Sequence, residues 1–154
     1  MGQKVNPVAF RTGVMSDWKS RWFASKREFS ELLVEDVKIR KFVNKKYGPQ
    51  FGTSRRRRGP AADRPRYAAI PKIEIERTRD EVKVILYTAR PGVIIGRKGQ
   101  EVEQLQDELQ ALIQRRVNVK IEEVGRPEIQ AQLIAEEIAE QLSKHSSFRR
   151  TMTR

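Results

Sequence analysis

Residues Pro91 to Gln100 read Pro-Gly-Val-Ile-Ile-Gly-Arg-Lys-Gly-Gln, an apolar turn running into a basic dipeptide bracketed by glycines and then into a helical pattern. No other stretch restricts the fold so tightly. Gly96 and Gly99 carry no Cβ, so the backbone there takes positive φ at little cost and comes close to another backbone. Arg97 and Lys98 supply charge between them. A helix starting at Gly99 turns its unpaired amide N–H groups and the positive end of its dipole toward whatever lies over the loop. That chemistry suits a sugar-phosphate backbone. A nucleotide-binding P-loop does not fit, because Gly99 follows Lys98 where a Ser or Thr for a metal belongs, and the glycine spacing differs.

The flanks set the loop in a fold. From Pro71 to Arg77, Ile73 and Ile75 alternate with Lys72, Glu74 and Glu76; beyond a turn at Thr78 to Asp80, Val82, Val84 and Leu86 alternate again, which predicts a hairpin. Pro91 suits a first helical position, and a short helix over Gly92 to Ile95 buries Val93, Ile94 or Ile95 beneath the loop. Val102, Leu105, Leu109, Leu112 and Ile113 recur at helical spacing, opposite an acidic face of Glu101, Glu103, Gln104, Asp107 and Glu108 that is expected to point away from any polyanion. Val117, Val119 and Ile121 predict a further strand. After Gly125 and Pro127 a last helix carries Ile129, Leu133, Ile134, Ile138 and Leu142 on one side, leading to Lys144, His145, Arg149, Arg150 and Arg154.

Upstream, Ser25 and Glu28 have capping-box spacing. The helix they introduce has an apolar stripe of Phe29, Leu32, Leu33, Val37, Phe42 and Val43, with a break expected near Asp36 and a stop at Gly48-Pro49. Lys38, Arg40, Lys41, Lys45 and Lys46 then form a basic outer surface, either solvated or facing RNA. Residues 1 to 24 show no lasting periodicity. Lys4, Arg11, Lys19 and Arg21 alternate there with Phe10, Trp18, Trp22 and Phe23, a mixture suited to phosphate contact and base stacking, unless the three rings of Trp18, Trp22 and Phe23 cover apolar surface of the domain instead. Residues 50–67 hold Gly52, Gly59, Pro60, Pro65 and four consecutive arginines, Arg55, Arg56, Arg57 and Arg58. Like charges so close repel unless they meet anions, which favours phosphate contact over a nuclear address signal.

The charge balance agrees with a polyanionic partner. The net charge is +12, and residues 1 to 67 hold 17 Lys/Arg against 6 Asp/Glu while residues 68 to 154 hold 15 against 14. Without cysteine, and with His145 as the one histidine, thiolate metal sites, zinc cages and Cys/His nucleophile pairs are excluded. No metal or other cofactor, catalytic constellation or small-molecule substrate is expected. No apolar stretch approaches the ~20 residues that span a bilayer, and no signal-peptide pattern opens the chain, so a soluble, cytoplasmic protein without a membrane partner is expected.

The resulting order is helix, strand, strand, short helix, glycine loop, helix, strand and an extra helix. This is the α+β arrangement of a KH type II domain, whose GxxG loop clamps the backbone of about four nucleotides. The expected segments are a basic and aromatic arm over 1–24, the KH domain over 25–126 with an Arg-rich insertion at 50–67, and a C-terminal helix with a basic tail over 127–154. In several stretches the chain closely resembles the family of bacterial small-subunit ribosomal protein three. These are Met1-Gly2-Gln3-Lys4-Val5-Asn6-Pro7, Arg11-Thr12-Gly13, Trp22-Phe23-Ala24, Thr88 to Gly99, Arg126-Pro127-Glu128 and Phe148-Arg149-Arg150.

The resemblance implies a structural, non-catalytic component of the small ribosomal subunit that binds ribosomal RNA in the head beside other head proteins and helps line the channel by which messenger RNA enters. It places Gly2, Gln3 and Lys4 against ribosomal RNA, makes Gly96, Arg97, Lys98 and Gly99 the KH loop, and sets Arg149 and Arg150 against incoming messenger RNA. Arg11 and the Arg55 to Arg58 run are further candidate ribosomal-RNA contacts. The family usually has a lysine where Thr153 stands, a shorter link than 50–67, and a second C-terminal domain from about Arg154 onward. A free-standing KH regulator or ribosome assembly factor is the alternative.

Overall fold

The computed structural model describes residues 2–49 and 67–153, apart from the side chain of Lys98; the Arg55 to Arg58 run lies outside the described residues. Six α-helices and four strands follow one another as α1 (Pro7–Arg11), β1 (Ser20–Arg21), α2 (Phe29–Tyr47), β2 (Lys72–Arg77), β3 (Glu81–Thr88), α3 (Pro91–Ile95), α4 (Gln100–Ile113), β4 (Arg116–Glu123), α5 (Ala131–Ser143) and α6 (Phe148–Met152). The strands form one sheet in the order β1-β2-β3-β4. β2 and β3 make the antiparallel hairpin, whereas β1 on β2 and β4 on β3 are parallel.

Register sorts the strand residues into two faces. Ile73 pairs with Leu86 and Ile75 with Val84, while Val82 and Val84 pair with Val117 and Val119. With a period of two, all of these point the same way. All but Val119 join Ile39, Val43 and Tyr47 of α2, Ile94 of α3, and Leu105, Leu109 and Ile113 of α4 in one buried cluster, against which Val119 packs partly buried. The sheet therefore has helices on one side and a charged surface on the other. On that second face Glu74 is nearly fully buried, ion-paired with Lys72 and with Arg21 at 3.6 Å. The Tyr87 hydroxyl donates to Glu74 Oε2 at 3.2 Å, and Lys72 lies over the Tyr87 ring.

The helix before the hairpin departs from its expected phase. α2 is unbroken at Asp36, and its buried residues are Asp36, Ile39, Val43 and Tyr47, whereas Phe29, Leu33 and Val37 remain about half exposed. The physical reason is Asp36 itself. Its Oδ2 accepts from Ser20 Oγ and Trp22 Nε1, both at 2.9 Å, and its Oδ1 accepts from Arg77 Nε at 2.9 Å and Nη2 at 2.6 Å. Arg77 also reaches Glu35 at 2.6 Å and stacks beside Trp22. A carboxylate with four donors is stable inside, and it rotates the helix to bring itself there. Arg40 is likewise not on the outer surface: its guanidinium donates to the carbonyls of Ile73 and Lys19 and to Ser20 Oγ.

Other expectations are corrected locally. The capping box does not form; Glu28 occupies the N-cap without a side-chain hydrogen bond, and the Ser25 carbonyl accepts from the amides of Glu28 and Phe29. The arm contains order that its pattern did not announce. Asn6 caps α1 by accepting from the amides of Val8 and Ala9, and Ser20–Arg21 joins the sheet. The last helix is two: α5 ends at Ser143, His145 takes a positive φ of 60°, and Ser147 starts α6. Ile129 falls in a separate turn and is exposed; of the α5 stripe only Leu133 is buried.

Replacing Asp36 with Ala leaves Arg77 charged, buried and short of its main partner, so a loss of ~3–5 kcal/mol is expected. Urea denaturation followed through Trp22 measures it, and a loss below ~1 kcal/mol contradicts the role given to this carboxylate. The opposite face titrates late. Burial, and then the carboxylates of Glu74 and Glu122, push the Tyr87 phenol up to about 12, above the usual ~10. The folded state then holds its proton where the unfolded chain releases it, so this contribution to stability is present below pH ~10 and lost as the pH rises toward about 12. The phenolate absorbance that Tyr87→Phe removes is expected near the upper value; a transition near pH ~10 contradicts the arrangement.

Candidate nucleic-acid interface

The glycine loop sits between α3 and α4 and is braced from several sides. Thr88, fully buried at the end of β3, donates from Oγ1 to the Ala68 carbonyl at 2.6 Å and accepts from the Arg90 amide at 3.0 Å. The Ala89 amide reaches the Ala69 carbonyl, and Arg90 stacks on the Tyr67 ring. The Tyr67 hydroxyl in turn donates to Glu136 of α5 at 2.9 Å. Pro91 opens α3 immediately after this anchor, and Ile94 is buried in the core beneath the loop while Ile95 is partly exposed.

The loop backbone then takes two left-handed steps, at Gly96 with φ 68° and Gly99 with φ 83°. Arg97–Gly99 form a single 3-10 turn between them, and Gly99 is the N-cap of α4. A Cβ on Gly96 would overlap the Cβ and Cγ of Glu101, so both the dihedral and the available space favour glycine there. At Gly99 nothing lies near a Cβ, so only the dihedral demands it. No side chain caps α4. The Gln100 amide at the head of the helix donates to the Arg97 carbonyl within the turn, so what the start of α4 offers an outside anion is the positive end of its dipole.

The electrostatics of the loop are mixed. Arg97 is exposed and has no hydrogen bond or ion pair among the described residues. Glu101, however, does not point away with the rest of the acidic face; its side chain lies against Gly96. The i+2 position after the glycine pair put it in the first turn of α4, where a carboxylate also favours the helix dipole. Farther along, Lys46 of α2 engages Glu108 of α4 at 2.5 Å, which takes that lysine out of the expected basic surface and leaves Lys38, Lys41 and Lys45 exposed on α2.

The remaining candidates lie on separate elements. Gly2, Gln3 and Lys4 are exposed ahead of α1, and Arg11 closes that helix with its guanidinium on the Pro7 carbonyl at 2.9 Å. Arg149 and Arg150 are exposed on α6, which Thr151 anchors by hydrogen bonds to Ser146 and Ser147. No hydrogen bond or ion pair among the described residues joins arm, loop and tail. The arm enters the sheet at the β1 edge, whereas α4 packs on β4 at the other. Among the described residues no group of three or more His, Cys, Asp or Glu is placed to hold a metal ion, and no helix is long and apolar enough to cross a membrane.

Comparison with known proteins supplies the kinship. The family described as KH domain matches residues 61–129. Small ribosomal subunit protein uS3 of Rhodopirellula baltica is 61% identical over 154 residues, which is 100% of this chain and 60% of that protein. The proteins of the same description from Desulforamulus reducens and Desulfitobacterium hafniense are 46% and 47% identical, each over 99% of this chain and 61% of theirs. The chain spans about 60% of the length of these curated relatives. With a KH domain at its centre and homology running from the arm through the tail, the chain belongs to the family of small ribosomal subunit protein uS3.

Proposed function

We propose that this chain acts as a structural, RNA-binding constituent of the small ribosomal subunit. The observation that carries the reading is the 61% identity with a small ribosomal subunit protein extending over all 154 residues, so that arm and tail are matched as well as the KH domain. In this reading the arm over 1–24, the KH domain over 25–126 with its insertion at 50–67, and the tail over 127–154 meet RNA as three separate surfaces. Gly2, Gln3, Lys4 and Arg11, with Arg55, Arg56, Arg57 and Arg58, contact small-subunit ribosomal RNA. Gly96, Arg97, Lys98 and Gly99 take a phosphate backbone. Arg149 and Arg150 touch messenger RNA where it enters the subunit.

Physical support comes from how these groups are held. The exposed Arg97 guanidinium and the positive end of the α4 dipole, with no side-chain cap over it, suit a chain of phosphates. Arg149 and Arg150 stand exposed on a short helix fixed from behind. Contacts of this kind read charge rather than base identity. The partners are then ribosomal RNA, messenger RNA and neighbouring proteins of the head, the place of work is the ribosome in the cytoplasm, and the role is structural rather than catalytic.

Sedimentation of cell extract in a sucrose gradient at raised salt tests the assignment. The expected outcome is one copy with each small subunit. A protein that washes to the top of the gradient overturns it in favour of a free KH regulator or assembly factor, because weak phosphate contacts do not survive that treatment. For the loop, changing Arg97 and Lys98 together to Asp is expected to weaken binding to single-stranded RNA and to lower the salt slope by ~0.7 for each lost contact. Unchanged affinity with a normal circular dichroism spectrum removes the loop from the interface.

A further inference from the structure

Three aromatic side chains near the end of the arm have very different surroundings. Trp22 is fixed, its Nε1 on Asp36 at 2.9 Å and its ring 5.3 Å from Phe29. Phe23, the next residue, is 99% exposed, and Trp18 on the other side of β1 is 63% exposed. Covering the domain's own apolar surface therefore accounts for Trp22 and not for the other two. Phe23 gains no burial from the fold, yet its backbone follows directly on a residue that the Asp36 network holds in place. The ring is presented from a firm base.

The neighbourhood is cationic. Lys26 and Arg27 are exposed, as is Lys19, and none of their side chains makes a hydrogen bond or ion pair among the described residues. Asp17 is the one acidic residue before Glu28, and Arg21 already engages it at 2.6 Å. Protein interface cores are depleted of lysine, so rings set among free cations fit a polyanion with planar groups better than they fit an apolar protein surface. We infer that Phe23 and Trp18 are stacking platforms for unpaired bases of single-stranded RNA, with Lys19, Lys26 and Arg27 on the adjoining phosphates. This rests on the RNA-binding reading above and adds which side chains meet bases rather than backbone. Stacking of this type tolerates any base, because every base has a π-face.

The test uses the full chain with an oligouridylate and, in parallel, a duplex RNA of the same length, whose bases are stacked away. Phe23→Leu keeps an apolar side chain of similar size without the π-face, and at so exposed a site it leaves the fold intact, which circular dichroism verifies. Oligouridylate affinity is expected to fall roughly 5- to 150-fold, the range of one lost base stack, with duplex affinity and the salt slope unchanged. Phe23→Trp is expected to retain binding, and oligouridylate is expected to quench tryptophan emission in the parent protein but not in Trp18→Leu. Equal oligouridylate affinity of Phe23→Leu and the parent overturns the proposal. If the Arg97 and Lys98 double variant still weakens binding in that case, the RNA-binding reading stands without stacking; if neither variant matters, both readings fail. Loss of a head protein's binding by Phe23→Leu with oligouridylate affinity intact also overturns it.

Discussion

The carboxylate of Asp36 is the point on which the first half of the chain turns. One oxygen receives Ser20 and Trp22 from the arm, the other receives Arg77 from the end of β2, and the residue itself is part of α2. Three segments distant in sequence are thus held by one ionised group. A lone buried charge is expensive, but one that is paired and given several hydrogen bonds holds its geometry closely. Arg40 repeats the arrangement one helical turn later, binding the carbonyls of Lys19 and Ile73. The arm is therefore tied to the domain mainly by polar contacts of defined direction, and apart from Trp22 its large aromatic side chains are left outside.

The other half of the chain uses the opposite strategy. α3, α4, β3 and β4 meet through Ile94, Leu105, Leu109, Val84 and Val117, all without solvent exposure. Such a core is closely packed and transmits little movement to the loop above it. In the function proposed above the loop needs that rigidity, because Gly96, Gly99 and the start of α4 can take a phosphate backbone only if they keep their spacing. The tail is joined to this half through Tyr67, which bridges Arg90 at the foot of the loop and Glu136 on α5.

Much of this was legible in the sequence where periodicity and local chemistry agreed. The hairpin, the glycine loop, α4 and β4 all follow from alternation, helical spacing and two glycines, since each is decided by neighbours along the chain. The phase of α2 was not, because an apolar count ranks Phe29, Leu33 and Val37 above an aspartate, and the partners that draw Asp36 inward come from Ser20, Trp22 and Arg77. β1 was invisible for the same reason: two residues carry no period, and Ser20 becomes strand only by pairing with Ile75. Glu101 illustrates a subtler limit. Its helical face was read correctly, but the tight turn at Gly96 folds the loop back onto the first turn of α4. As for the candidate site, its glycines and cations could be named in advance, while which cations were already engaged by carboxylates within the fold could not.

The parallel pairing of β1 with β2 has a bearing on how the molecule is made. A hairpin closes as soon as its turn has been synthesised, but a parallel partner must wait for everything between the two strands, and the entropy of closing that long span is met only when the partner arrives. Ser20 and Trp22 leave the ribosome before the helix that carries Asp36, and Arg77 leaves later still. Synthesis proceeds from the N-terminus, so the arm is the earliest part of this chain to exist, yet it is fixed only after Arg77 has been made. During that interval its exposed rings and cations belong to no fold, and the completion of β2 is the event that gives them a single orientation.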